Sequence, residues 1–524
     1  MSSIVKRRIN GCVYLYESES YRNEEGKPRT RQRCIGKIDP DTGEAVYNKA
    51  YKTKMAQKGT PIQEFSASDI QNSTIKEFGA FYLYKCIAEE IGLLSILRST
   101  LPNCWQMVFN LACYLVSSGD PVMYCEDWVD KTAALPSASM SPPRISELFK
   151  MITLQQRLDF FAQWGAFRCE QEYLALDITS VSSYSKLIAD VEWGYNRDKE
   201  KLPQINLCLL LGEQSGLPVF QSVYNGSLKD VSTLKTTLQL AAPCIPLHKM
   251  TIVMDKGFCS TKNINAMLSD PQGLRFLIAM PFTMSFTKKQ VDSERKGIDC
   301  FNNAIVIGDD VLRGVAKERS WSSKHKLFAH VYYNAAVALS ARDKLYAHVL
   351  LLKKQAGANP EAAASDPKFT KYLLIRKSNK HESGYTINPR DDVIEQALAH
   401  SGWLVLTSNH ISDAREAISI YRAKDVVEKG FFRMKNALDL NRLRVHSDAS
   451  MQNKIFVGFI ALVLMSHIHK VMFTNELYKS MTMHKLINIL SSLKVQYLAG
   501  VRILFPITKI QKNIIEAFGF SEPL

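Results

Sequence analysis

The sequence lacks several patterns that identify well-known classes of protein. Its eleven cysteines are odd in number and include no Cys-x-x-Cys pair, which argues against a disulfide framework and a zinc ribbon. The motifs of P-loop ATPases (Gly-x4-Gly-Lys-Ser/Thr), zincins (His-Glu-x2-His) and α/β-hydrolases (Gly-x-Ser-x-Gly) do not occur in it. We therefore expect a protein of a reducing compartment that uses no nucleotide cofactor.

Long hydrophobic runs are also missing. The longest apolar run, Ile455 to Met465, falls short of the roughly 20 residues that a membrane span needs, so it predicts a buried helix and no membrane partner. The first residues, Met1 to Arg8, contain no apolar segment after their charges, which argues against a secretory signal. A cytoplasmic location is the expectation.

Acidic residues are outnumbered by basic ones. The chain of 524 residues has 66 Lys and Arg against 51 Asp and Glu, for a formal net charge of +15. Such a balance favours a polyanionic partner through counterion release, although many basic proteins have no such partner. At 46% apolar composition the chain has enough material for several domains with a buried core.

The residue pattern of the sequence changes several times along the chain, and each change suggests a domain boundary. Alternating runs near the start indicate a small β module whose strand carries Arg29, Arg31 and Arg33. Helical periodicity follows, which suits either helix-turn-helix DNA binding or a plain helical bundle. The predicted regions are a basic β-rich module (1–65), a helical, DNA-end-binding region (66–165), the first part of a catalytic core (166–281), an insertion (282–400), the second part of the core (401–440) and a C-terminal helical region (441–524).

The middle of the chain predicts an α/β domain. Two hairpin-joined strands followed by alternating helices and strands indicate a mixed sheet. The stretch from 282 to 400 is too long for a loop and is interpreted as an inserted α+β domain. Predicted strands are Leu174–Ser180, Gln204–Leu211, Pro218–Tyr224, Met250–Met254, Arg275–Met280, Lys326–Tyr333 and Trp403–Thr407; predicted helices are Ser232–Ala242, Thr261–Leu268, Ala335–Lys354 and Asp413–Leu438.

Two aspartates occupy positions that phosphodiester chemistry can use. Asp177 lies inside an apolar strand, where a buried charge is costly unless it binds a cation or a base. Asp255 follows the strand Thr251–Met254 and precedes Gly257, which allows a turn beside it. Strand ends of this kind are where α/β sheets place ligands. A single Asp in such a position is nevertheless more often structural than catalytic.

Glu428 is a third candidate because of its neighbours on a helix. At 100° per residue, Tyr421, Lys424, Glu428 and Lys435 share one face beside an apolar stripe, so the helix can pack on the sheet and present Glu428 at its edge. A solvated Lys424–Glu428 ion pair explains the same pattern equally well. Three carboxylates suit two Mg²⁺ ions roughly 3.5 to 4 Å apart, and Lys424 and Lys435 suit DNA phosphates.

The glutamate helix resembles the last motif of the bacterial insertion-sequence DDE transposases, Tyr-x2-Arg-x3-Glu-x6-Lys. Here the motif reads Tyr421-x2-Lys424-x3-Glu428-x6-Lys435, with lysine in place of arginine, which removes a bidentate phosphate clamp. Each motif is weak alone, but three in order are strong. The other two similarities are Asp177-Ile-Thr179 with the first Asp-x-Thr motif and Asp255-Lys-Gly257-Phe258 with the second motif, supported by Gly194-Tyr-Asn-Arg197-Asp198.

The resemblance implies a ribonuclease-H-like core, interrupted before the glutamate helix, with Asp177, Asp255 and Glu428 as catalytic and metal-binding residues. It also implies two Mg²⁺ or Mn²⁺ ions as cofactors. Double-stranded DNA, both element terminal repeats and target, is the implied partner, contacted through Tyr421, Lys424, Lys435 and Arg197, with a homodimer on paired ends in a bacterial nucleoid. Two alternatives stay open: a catalytically inactive DNA-binding derivative, and a ribonuclease-H-like nuclease.

Overall fold

The computed structural model describes residues 2–9, 12–22, 28–39, 45–52, 71–168, 173–378, 384–499 and 501–523. This chain divides into two compact units. One comprises Met1–Ile75 with Gln496–Ile503, and the other comprises Lys76–Val495 with Leu504–Leu524.

The first unit contains an antiparallel sheet whose strands are neighbours in chain order, as the alternating pattern predicts. Arg31 and Arg33 of its third strand lie directly opposite Glu19 and Glu17 of the second. Cross-strand pairs of opposite charge stabilise a sheet, so these two arginines face acidic side chains as well as solvent. The strands are β1 Ser2–Ile9, β2 Cys12–Arg22, β3 Pro28–Ile38 and β4 Ala45–Tyr47.

The second unit is built on a nine-stranded mixed sheet with the order β11-β12-β13-β16-β10-β9-β6-β7-β8. Strands β6, β9 and β10 are parallel, and the other pairings are antiparallel. The predicted mixed α/β architecture is therefore confirmed. Its strands are β6 Tyr173–Ser182, β7 Gln204–Gly212, β8 Pro218–Asn225, β9 Thr251–Met254, β10 Arg275–Ala279, β11 Ala304–Ile307, β12 Asp310–Ser320, β13 Lys326–Tyr333 and β16 Trp403–Ser408. The remaining strands of the chain are β5 Thr74–Glu77, β14 Leu373–Lys377, β15 Tyr385–Pro389, β17 Lys494–Leu498 and β18 Val501–Leu504.

Along the chain, helices come before, between and after the strands of this sheet. In chain order they are α1 Gly79–Glu90, α2 Leu93–Thr100, α3 Trp105–Ser118, α4 Cys125–Lys131, α5 Pro142–Met151, α6 Leu154–Phe167, α7 Asp230–Ala241, α8 Thr261–Leu268, α9 Ser285–Glu294, α10 Ala335–Ala358, α11 Pro360–Ser365, α12 Pro367–Thr370, α13 Asp391–Leu398, α14 Ala414–Ala423, α15 Asp425–Phe432, α16 Asp448–Thr474, α17 Met483–Ser491 and α18 Lys509–Ala517.

Helix α16 lies at the centre of the larger core. It is long and apolar enough to cross a membrane, yet most of it is buried inside the protein, and every residue from Ile455 to Met465 is buried. It packs on α3 and α5, and the side-chain amide of Asn453 donates to the carbonyl oxygens of Phe149 and Ile152. The predicted buried helix is thus confirmed, and it joins the helices of 79–167 to the sheet in one core.

The stretch from 282 to 400, interpreted from the sequence as an insertion, has two structural parts. Strands β11, β12 and β13 extend the central sheet, because β13 pairs with β16. Helices α10 to α13 and the hairpin β14–β15 instead enclose a small core of their own, around Leu352, Leu373 and Ile394. Only this second part has a separate hydrophobic cluster.

The predicted single helix from Asp413 to Leu438 is interrupted. Helix α14 ends at Ala423, Lys424 forms a turn, and α15 starts at Asp425. After α15 the chain continues as a π-helix, Arg433–Ala437. Such irregular turns are frequent at functional sites and are invisible to a 3.6-residue periodicity.

Candidate active site

The sheet register places the two predicted aspartates side by side. In the parallel pair β6–β9, Leu176 lies opposite Met254, and Asp177 and Asp255 are the next residues of their strands. Neighbouring strands are about 4.8 Å apart, so the two acids share one edge of the sheet. The backbone N–H of Ile178 donates to Oδ1 of Asp177 at 2.8 Å. The N–H of Gly257 donates to Oδ1 of Asp255 at 2.8 Å.

Glu428 reaches the same edge from helix α15, which packs across β6 and β7. The link is Lys424, whose Nζ lies 4.0 Å from Oδ2 of Asp177 and 3.9 Å from Oε1 of Glu428. Lys424 and Asp177 are largely buried, with side chains 8% and 16% exposed, whereas Glu428 is 65% exposed. Lys424 therefore links Asp177 to Glu428, and Asp255 lies beside Asp177 on the neighbouring strand.

The electrostatics of the site reflect this crowding. Burial raises the pKa of Asp177 to about 6, Lys424 opposes that shift, and the neighbouring Asp255 adds to it. Burial likewise raises the pKa of Tyr421 to about 12, and Asp255, Asp177 and Glu428 all push it in the same direction. Because all three carboxylates affect the pKa of Tyr421, each of them lies in its neighbourhood, and we call the three the acidic cluster.

A fourth acid, Asp230, was missed by the sequence reasoning. It is the first residue of α7, and a Cβ built on Gly257 would lie 3.1 Å from Oδ2 of Asp230 and 2.9 Å from Oδ1 of Asp255. Burial raises the pKa of Asp230, Arg197 lowers it and Asp255 raises it further. A polar first residue on the helix that follows β8 was the only signal in the sequence.

Arg197 holds this fourth acid. Its guanidinium donates to Oδ2 of Asp230 at 2.5 Å and to the carbonyl oxygen of Ile178. The backbone N–H of Arg197 also donates to Ser180 Oγ at 3.0 Å. This predicted DNA contact is thus engaged with strand β6 and α7, close to Asp177.

The other residues singled out on the glutamate helix are also paired. Nζ of Lys435 lies 2.6 Å from Oδ2 of Asp198, and the lysine side chain is 11% exposed. Oδ2 of Asp425, three residues before Glu428 on α15, lies 2.6 Å from Nζ of Lys429 on an exposed face. Burial raises the pKa of Asp190, and the acids Asp448 and Glu192 raise it further.

The donor chemistry of the cluster fits a hard divalent cation, since Asp177, Asp255 and Glu428 offer carboxylate oxygens. The crowding of Asp177 with Asp255 under burial is the kind of repulsion that such a cation relieves. Within the described parts of the chain, however, no three His, Cys, Asp or Glu side chains already stand in a metal-holding group.

Comparison with known proteins supplies the family. The model of the transposase DDE domain matches residues 168–464, more than half of the chain and all three acids. No curated protein matches the chain. A solved structure, the cryo-EM structure of the piggyBac transposase synaptic complex with hairpin DNA, is similar with 10% identity and a TM-score of 0.35 over 73% of this chain and 69% of that one. The family match over 168–464 establishes that the chain belongs to the family of transposases with a DDE domain.

Proposed function

We propose that this transposase cuts the ends of a transposable element and joins the released 3′-hydroxyls to target DNA by two-metal phosphoryl transfer. The observation that carries the proposal is the meeting of Asp177, Asp255 and Glu428 at one edge of the sheet. The order β8-β7-β6-β9-β10, with its three parallel central strands, supports a ribonuclease-H-like catalytic core. Asp177 and Asp255 belong to this rigid frame, and Glu428 arrives on a separate helix.

Magnesium or manganese, as two ions, would be held by these three carboxylates. Such ions activate a water or 3′-hydroxyl and stabilise the leaving oxygen of an in-line displacement. The chain's own part is to hold Oδ1 of Asp177 and of Asp255 on backbone N–H groups, which fixes each carboxylate in orientation. Asp177 has to lose its proton before it can act as a ligand, since ligating carboxylates are ionised.

DNA at the site would be contacted by Tyr421, Lys424, Lys435 and Arg197. Three of these are cations that already pair with Asp177, Asp198 or Asp230. Phosphate binding therefore means an exchange of partners, in which a phosphate oxygen takes the place of a carboxylate. Contacts of this kind position DNA without reading its sequence.

Recognition of the element ends would reside in the first 165 residues. Arg29, Arg31 and Arg33 recur at every second position of β3, so they share one face, and all are exposed. In the full-length chain, replacing all three by Ser should weaken binding of an end-containing duplex. Unchanged affinity in a gel-shift assay, compared with a scrambled duplex, would move end recognition elsewhere.

We further propose a homodimer, because synapsis brings two ends together. We expect it to act at the nucleoid in a bacterial cytoplasm, without a nucleotide cofactor or a membrane. Sedimentation of the purified protein with and without paired end duplexes tests the dimer. A complex that stays monomeric on DNA would contradict it.

The decisive experiment is substitution of each acid. Asp177→Ala, Asp255→Ala and Glu428→Ala should each reduce strand cleavage by several orders of magnitude in Mg²⁺ or Mn²⁺ while leaving DNA binding in place. Linear DNA that carries the inverted repeats flanking the gene is the substrate. Asp425→Ala is the matched control, because Asp425 pairs with Lys429 on an exposed face of the same helix.

Two results would count against the proposal. Near-normal cleavage by Glu428→Ala would remove Glu428 from the site. Wild-type protein that binds the ends but leaves them uncut with either metal would point to an inactive, DNA-binding derivative.

A further inference from the structure

Lys424 has an unusual environment for a lysine. Its side chain is 8% exposed, and its Nζ lies at nearly equal distances, 4.0 Å and 3.9 Å, from carboxylate oxygens of Asp177 and Glu428. Burying an ammonium group is costly unless it is paired, and these two acids supply the pairing. Lys424 thus lies among acids that are the proposed metal ligands.

A metal ion coordinated by the same two oxygens has to share the space between them with this ammonium group. Two cations at such a short distance repel each other, and the burial of Lys424 and Asp177 weakens the screening of this repulsion by solvent. Lys424 therefore opposes the loading of a metal for as long as it keeps its present position.

Lys424 lies at an irregular point of the backbone and carries a long side chain. The residue lies in the turn between α14 and α15, where helical hydrogen bonding is interrupted. Its four-carbon stem is flexible, and an ammonium group binds phosphate as a point charge without a fixed geometry. The exposed Glu428 marks the side on which solvent, and hence a DNA phosphate, reaches this pair.

We propose that Lys424 is a built-in counter-ion that occupies the acidic cluster in the absence of DNA and is withdrawn by a DNA phosphate, so that DNA and metal bind cooperatively. This inference rests on the proposed metal-dependent function. By linkage, any factor by which DNA tightens metal binding is also the factor by which metal tightens DNA binding. Free transposase is then poorly loaded with metal, and the site is completed on its substrate.

The test measures metal binding directly. Free Mn²⁺ is followed by electron paramagnetic resonance during titration of the protein, alone and with a duplex that ends at the cleaved inverted repeat, and the Mn²⁺ that the duplex binds by itself is subtracted. In the wild type, the duplex should tighten Mn²⁺ binding by about tenfold or more. In Lys424→Met, Mn²⁺ should bind about tenfold more tightly than in the wild type without DNA, and the duplex should add little.

Lys429→Met is the matched control. Lys429 lies on the same helix, 2.6 Å from an acid, but its partner is Asp425 on the exposed face. This variant should behave as the wild type in both titrations. If Lys429→Met gained as much Mn²⁺ affinity as Lys424→Met, the effect would arise from net charge and not from the position of Lys424.

Two outcomes would overturn the inference. In the wild type, equal Mn²⁺ affinity with and without DNA would show that the two ligands bind independently, and this measurement does not depend on any variant folding. Mn²⁺ binding by well-folded Lys424→Met that is no tighter than in the wild type would make Lys424 a structural pairing only.

Asp177→Asn and Glu428→Gln separate this inference from the proposed function. If neither substitution weakens Mn²⁺ binding, the acids are not metal ligands and the proposed function itself fails. If both weaken it while Lys424→Met changes nothing, the metal site stands and only the counter-ion role is lost.

Discussion

Lys435 and Asp198 connect the glutamate helix to the loop between β6 and β7 through a contact of 2.6 Å between Nζ and Oδ2. The lysine is buried in the π-helix that follows α15, and the aspartate lies one residue after Arg197. The pair thus joins the element that carries Glu428 to the loop that carries the partner of Asp230.

Removing this connection should loosen the site. Lys435→Met leaves Asp198 without its cation, and we expect the free energy of unfolding to fall by about 1 to 2 kcal/mol, the range for a hydrogen bond to a charged group with one partly exposed partner. Chemical denaturation measures this change in the free energy of unfolding. Asp198→Asn keeps an acceptor for the ammonium and should cost less; an equal or larger loss would contradict this account.

The stability of the metal-free protein should depend on pH through Asp177. Because burial raises the pKa of Asp177 to about 6 from 3.8, the folded protein holds this proton more tightly than the unfolded chain does. Below about pH 4 the carboxyl is protonated in the folded and unfolded states and does not change the free energy of unfolding. As the pH rises through 6, its ionisation lowers the free energy of unfolding by up to about 3 kcal/mol.

Asp177→Asn should therefore stabilise the metal-free protein at pH 8 and have little effect at pH 4. Urea denaturation in the presence of a chelator measures the difference at each pH. The matched control is Asp425→Asn, on an exposed face, which should show no such gain. A constant difference across the pH range would mean that the carboxyl is not the cause.

Gly257→Ala should impair cleavage more than folding. The added Cβ would lie 2.9 Å from Oδ1 of Asp255 and 3.1 Å from Oδ2 of Asp230, so both carboxylates have to shift. Displacement by a fraction of an ångström to 1 Å can reduce a rate by up to about 100-fold. Gly297→Ala has open space around its Cβ and serves as the control in initial-rate measurements of cleavage. Wild-type rates in Gly257→Ala would show that the position of Asp255 is not critical.

Arg197 and Asp230 should prove energetically coupled. Arg197→Ala leaves Asp230 unpaired beside Asp255, whereas the double variant with Asp230→Ala removes both charges. A double-mutant cycle of unfolding free energies should give a coupling of about 1 to 3 kcal/mol. Additive losses would indicate that Arg197 acts through its bond to the Ile178 carbonyl alone.

Much of the sheet was predictable because its strands are continuous apolar runs bounded by turn residues. The predicted Gln204–Leu211 and Arg275–Met280 differ from the observed strands by one residue at one end, and helix Thr261–Leu268 agrees at both ends. The family was also predictable, from three short motifs around Asp177, Asp255 and Glu428. The match of the family over 168–464 confirms that prediction.

The rest depended on contacts between distant segments, which periodicity cannot detect. The stretch from 282 to 400 reads as a separate domain because nothing in it reveals that β13 pairs with β16. Asp230 acquires its place in the cluster only through the packing of α7 beside Gly257. The turn at Lys424 is equally hidden, because the residues on both sides keep a helical pattern.

Strand β16 has a further consequence for how the protein is made. It lies between β10 and β13 in the sheet, yet it is synthesised after both, at residues 403–408. Glu428 and the core helix α16 leave the ribosome later still. A nascent or prematurely terminated chain that ends before residue 403 has a sheet split into two halves and lacks the third acid. However much of the N-terminal region such a fragment retains, it lacks an acid that the proposed strand cleavage requires.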